Sequence, residues 1–195
     1  MPAVLPQPIA DLHLMHAFKG YAMPIDQCVK SSTNEISYVA DKEQEHYSDF
    51  VTSLSKEYLL GKVMTILNGN QQEVVLIQID NKLISSSSSQ PRCDCAIAND
   101  KEFHFIEFKT NALGNSDKAY SQTYETAMVQ LSESTHLFID RTKQVGIPLR
   151  ERRNLFAHIC TAVRFPRIQT SELGYAVKFG LLERIPLYFE NKITL

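Results

Sequence analysis

Asp94, Glu107 and Lys109 are the residues of this 195-residue sequence whose types and spacing can do chemistry together. Asp94 lies in RCDCAIA (92–98), and Glu107 and Lys109 lie in FHFIEFKTN (103–111). Both runs read as strands, and the turn-forming NDKE separates them. If 99–102 form a four-residue hairpin loop, Ala98 faces Phe103 and paired residue numbers sum to 201, which sets Asp94 opposite Glu107. Cross-strand partners hold their β-carbons roughly 4.5–5.5 Å apart. Lys109, two residues beyond Glu107, projects from the same face.

That face also carries Ala96 against Phe105 and Ala98 against Phe103, while Cys93, Cys95 and Ile97 meet Phe108, Ile106 and His104 on the other. Two largely apolar faces imply a sheet covered on both sides. Two carboxylates facing each other there destabilise the sheet unless something positive compensates. A hard divalent cation meets that need, because Mg²⁺ uses one or two carboxylates, keeps several waters and takes phosphate oxygens in its remaining positions. The chemistry expected is phosphodiester hydrolysis by a metal-activated water. Lys109 would orient or help deprotonate that water and stabilise the transition state. The alternative, an acidic pair neutralised by Lys109 alone at an exposed sheet margin, fits poorly with Phe103 and Phe105 on the same face. Cys93 and Cys95 have no second cysteine pair to complete a zinc site, so they read as small core residues.

The elements around the hairpin must position these groups. From Asn34 to about Leu60, Ile36, Ala40, Tyr47, Phe50, Val51, Leu54 and Tyr58 recur at steps of three and four, which predicts a long helix or two joined at Asp41. DKEQ (41–44) reads as a capping box there. Glu43 falls on the apolar stripe and Glu45 on the opposite side, so Glu43 is either a fourth member of the site or a solvated side chain at a protruding helix end. EVVLIQI (73–79) predicts a strand, and the serines 85–89 a surface loop or connector. A helix is expected over 116–134 with Ser116 as N-cap, a buried strand over 155–163, and an edge strand at PLYFE near the C-terminus.

Residues 1–33, with Pro2, Pro6, Pro8 and Pro24 around a short helical pattern, read as an arm or cap outside the main core. His13 and His16 there have a spacing that could share a metal, but no third ligand is near. Residues 34–165 form the expected core and 166–195 a C-terminal extension packed on it, in a single domain overall. Residues 1–140 hold 10 Lys+Arg against 18 Asp+Glu, while 141–195 hold 10 against 4. Arg150, Arg152, Arg153, Arg164 and Arg167 could therefore hold a phosphate backbone if the fold gathers them, or they are a solvated helix end. Four scattered cysteines, no signal-peptide pattern and no apolar run long enough to cross a bilayer predict a soluble, cytoplasmic protein without a membrane partner.

The pattern RCDCAI, turn, FHFIEFK resembles the PD-(D/E)xK nuclease superfamily, with Asp94 as the motif aspartate and Glu107 and Lys109 as its E-x-K pair. Cys93 stands where a proline is usually written. The expected element order, from about residue 34 to 163, also resembles that family's αβββαβ core. The resemblance implies an α/β, restriction-endonuclease-like fold with a central mixed sheet flanked by helices, dependence on Mg²⁺ or Mn²⁺, and nucleic acid as substrate, with DNA preferred over RNA on family grounds. It also implies a first-helix glutamate at the metal, matched here by Glu43, and a polar residue from the following helix, for which Gln122, Tyr124 and Gln130 are candidates. Two other classes stay open: a catalytically silent binding or assembly module of this fold, and an unrelated α/β protein-interaction domain. A homodimer would suit a small nuclease that must cut two strands, though no motif demonstrates it.

Overall fold

A computed structural model describes residues 5–42, 44–112, 116–163, 165 and 168–195. In chain order its elements are α1 (Gln7–Asp11), α2 (Leu14–Ala17), β1 (Val29–Ser32), β2 (Ile36–Lys42), β3 (Tyr47–Val51), α3 (Lys56–Leu59), β4 (Met64–Leu67), β5 (Val74–Gln78) and β6 (Cys95–Ala98). These are followed by β7 (Glu102–Lys109), α4 (Asp117–Gln144), α5 (Leu149–Arg152), β8 (Asn154–Thr161), α6 (Gln169–Glu183), β9 (Leu187–Tyr188) and β10 (Lys192–Thr194). The fold is α/β, with a mixed six-stranded sheet in the order β1-β5-β6-β7-β8-β9 and a four-stranded sheet in the order β10-β4-β2-β3. In the larger sheet β6 runs antiparallel to its neighbours β5 and β7, and β8 and β9 run parallel to β7.

Two apolar layers follow from this stacking. One lies between the larger sheet and the helices, where Ala96, Ala98, Phe103 and Phe105 meet Tyr124, Leu131 and Phe138 of α4. Phe138 is the hub, its ring centroid 5.4 Å from Phe103, 5.6 Å from Phe105 and 4.6 Å from Phe18. The other layer lies between the two sheets, where Val39, Met64 and Ile66 meet Cys95, Ile97, Ile106 and Phe108. The hairpin strands are thus buried on both faces, as their composition requires.

The residues of α4 bury Tyr120, Tyr124, Ala127, Leu131 and Phe138 at helical spacing, and the helix runs ten residues past the expected end at 134. Ser116 opens it, its hydroxyl accepting from the Ala119 N–H at 3.2 Å. Ser116→Ala should destabilise the protein by about 1 kcal/mol in urea denaturation without altering its circular dichroism.

Between 34 and 60 the structure departs from the expected long helix. ISYVADK and YSDFV form the antiparallel hairpin β2–β3, with Ala40 paired to Asp49, and only Lys56–Leu59 is helical. The steps of three and four are a coincidence of two short strands, and pairing of β2 with the distant β4 decides the outcome. Glu43, expected on a helix face, lies outside the described residues. The Asp41 capping box is replaced by strand, and Lys42 closes the turn onto Glu45 at 3.2 Å.

The N-terminal segment is also not outside the core. Ile9, Leu12, Leu14 and Phe18 are buried against the helix side of the larger sheet. The C-terminal extension contributes α6 and one strand to each sheet.

Candidate active site

The hairpin has the expected register, with Ala98 paired to Phe103, Ala96 to Phe105 and Cys95 to Ile106. The ladder stops at Cys95. At Asp94 the chain bends and its carbonyl accepts the Ile79 and Asp80 N–H groups, both at 3.1 Å. Its carboxylate then takes the place of a main-chain acceptor, receiving the Phe108 N–H at 2.5 Å. The bend breaks the alternation expected for Cys93, whose side chain lies with the helix-side core while Cys95 lies between the sheets. Both thiols are free and buried.

Glu107 is 1 % exposed. Its Oε1 accepts from the Lys109 ammonium at 2.6 Å, while its buried Oε2 has no hydrogen-bond partner. Burial, opposed by Lys109, pushes the Glu107 carboxyl up to about 7, and the charges of Asp41 and Asp80 add to the rise. Asp94 is held well above the ordinary carboxylate range, first by burial, then by the charges of Glu107 and Asp41. The two acids therefore compete for ionisation, as expected for carboxylates gathered in a place where water cannot screen them.

Lys109 is fixed from a second side by Gln130 of α4, whose Oε1 accepts at 2.7 Å and whose amide donates to the Arg92 carbonyl at 3.0 Å. The Arg92 guanidinium in turn donates to Asp80 at 2.6 Å. The strand before the hairpin, the hairpin and the long helix are thereby tied into one polar chain ending at Glu107. Of the three α4 candidates, Gln130 reaches the site. Gln122 is exposed, and Tyr124 is buried with its hydroxyl on Glu172 at 3.1 Å.

Asp41 is the acidic residue that sequence reasoning missed. On β2 it lies two residues after the fully buried Val39, on the side of the smaller sheet that faces the larger one. It also lines a cleft of about 680 Å³ shared with Lys42, Lys56 and Lys62. Lys62 donates to the side chain of Asn111, just beyond β7, so the cleft borders the end of β7 that carries Glu107 and Lys109.

The arginine-rich segment is placed elsewhere. Arg153 is buried and donates to the Asn99 carbonyl at the hairpin tip, and Arg150 donates to the Glu183 carbonyl. This is the opposite end of β7 from Lys109, roughly 20 Å away at strand rise, so α5 does not reach the carboxylates. Arg164 and Arg167 lie outside the described residues. His13 and His16 are exposed, and no cluster of three metal-ligating side chains includes them among the described residues.

A separate polar chain sits on the other face of the sheet. His104 and His158 touch at 3.0 Å, and His104 meets Glu102 at 3.0 Å. Burial pulls both imidazoles down to about 3 and keeps them neutral.

Among the described residues no three His, Cys, Asp or Glu side chains converge into a metal cage. Asp94 and Glu107 nevertheless fit a hard cation that keeps its waters, since such an ion needs only one or two carboxylates and Glu107 Oε2 is a buried oxygen with no partner. Comparison with protein-family models, curated proteins and solved structures finds no match to the chain.

Proposed function

We propose that the chain is a metal-dependent nuclease of the PD-(D/E)xK type, hydrolysing phosphodiester bonds in nucleic acid, DNA above all. The observation that carries this reading is Glu107, a buried acid with one oxygen on Lys109 and the other without a partner among the described residues, next to Phe108, whose N–H donates to the Asp94 carboxylate. The succession β5, β6, β7, α4, β8 supports a restriction-endonuclease-like core, although the element before β5 is not the expected helix.

In this reading Asp94 and Glu107 would hold Mg²⁺ or Mn²⁺, which would supply a water deprotonated readily enough to attack phosphorus near neutral pH. Lys109 lies between Glu107 and Gln130, placed to donate to a phosphate oxygen or to the attacking water. Asp94 is oriented by the Phe108 N–H, and Gln130 keeps Lys109 from swinging away. The cleft beside Asp41 is the place for a substrate strand, with Lys56 and Lys62 on its wall.

The purified protein should cut single- or double-stranded DNA or RNA with Mn²⁺ or Mg²⁺, and EDTA should stop it. A double Asp94→Asn, Glu107→Gln variant keeps the shape of both side chains and should be inert. Cutting that persists in that variant, or no cutting of any substrate by a folded wild type, ends the proposal.

A further inference from the structure

The outer face of α6 is apolar and unpartnered. Leu173, Val177 and Leu181 fall one turn apart at steps of four and are 65 %, 53 % and 78 % exposed. Its inner face is the one the fold uses, through buried Glu172, Phe179 and Glu183. The outer leucines are not remnants of a core position. Together they leave on the order of 300–400 Å² of apolar side chain in one stripe, the size of patch that is often a contact surface.

Gly174 and Gly180 flank the stripe. A β-carbon built at Gly174 meets nothing within 4 Å, and one at Gly180 meets only the Ile185 carbonyl at 3.9 Å, so alanine would fit at either place. Glycine inside a helix weakens it relative to alanine. Nothing among the described residues explains why this helix carries two, but a partner packed close against the same face does.

The sequence says which partner. LGYAVKFGL (173–181) reads as a near palindrome about Val177: leucine, glycine, aromatic, one residue, valine, one residue, aromatic, glycine, leucine. A two-fold axis through Val177 lays one α6 antiparallel on another, with Val177 meeting itself. Each Leu181 then falls over the partner's Gly174 and each Leu173 over the partner's Gly180, knob into hole. An isologous contact demands such a self-complementary pattern. The antiparallel arrangement also sets opposite helix ends together, and Thr170, Leu173, Gly174, Val177, Gly180 and Leu181 bring no charge to the seam. The patch suits the apolar centre of an interface burying about 800 Å² per partner.

We infer that the chain forms a homodimer through α6, a second copy covering Leu173, Val177 and Leu181. This does not rest on the nuclease reading. Sedimentation velocity across the micromolar range should give the mass of a dimer for the full chain. Val177→Glu sets two carboxylates face to face at the axis and should raise the dissociation constant about 100-fold with the circular dichroism unchanged. Val177→Cys should crosslink to a dimer on mild oxidation in high yield, and Lys178→Cys, turned away from the seam, should not. A monomeric wild type throughout, a dimer unaffected in folded Val177→Glu, or equal crosslinking at both positions would overturn the inference. Adsorption of the monomer to lipid vesicles through this face would do the same.

Discussion

Lys109→Ala is expected to slow metal-dependent cleavage about 10²- to 10³-fold, the usual loss when one donor to a developing negative charge is removed. The same substitution strips Glu107 of the one side-chain hydrogen-bond partner it has among the described residues. At pH 8, where wild-type Glu107 is mostly ionised, breaking a pair this deeply buried should cost about 3 kcal/mol. At pH 5 Glu107 is protonated and the cost should shrink. Single-turnover rates with saturating Mn²⁺, paired with urea denaturation at both pH values, separate the two effects. A variant destabilised only at high pH yet still cutting at the wild-type rate would confine Lys109 to charge compensation.

Glu107→Gln should make the metal-free protein more stable at alkaline pH. The Glu107 carboxyl has its ordinary value of 4.5 when unfolded and about 7 when folded. Because the folded value is raised, the native state binds more protons than the unfolded state between the two. Stability from this group is therefore full below pH 4.5 and is lost as pH rises through 7. With each unit equivalent to about 1.4 kcal/mol, the glutamine variant should gain about 3 kcal/mol over wild type above pH 8 and nothing near pH 4. Urea midpoints measured without divalent cations from pH 4 to 9 would check this. A constant difference would show that the acid is not buried as described. In the nuclease reading, Mn²⁺ should restore wild-type stability at pH 8 and leave Glu107→Gln unmoved.

The hairpin was legible because its information is local. A four-residue turn and strict alternation from Ala98 to Cys95 set the register without help from the rest of the chain. The bend at Asp94 was not legible, because the Ile79 and Asp80 amides that capture its carbonyl, just past β5, lie fourteen or fifteen residues away. Residues 36–51 were misread for the same reason. The apolar steps suit a helix until β4 is known to lie beside Val39 and Met64 to pair with it. Reading ISYV as alternating would have put Asp41 on the face of Val39, toward the larger sheet, which is the signal that could have found it. In the N-terminal segment four prolines suggested an arm, whereas Ile9, Leu12 and Leu14 are buried in the helix-side core under the sheet.

The four-stranded sheet pairs segments far apart in the sequence. Lys192 pairs with Thr65 and Thr194 with Leu67, so the partner that flanks β4 opposite β2 comes well over a hundred residues later in the chain than β4. Such non-local pairings form late, after their loop entropy is met by other contacts. The nascent chain can therefore assemble the hairpin of Asp94 and Glu107 while the sheet that brings Asp41 toward it still has an open edge. Removing β10 should leave the hairpin's own register intact and weaken the support of Asp41, which makes Lys192–Thr194 a remote control on the electrostatics of the acidic centre.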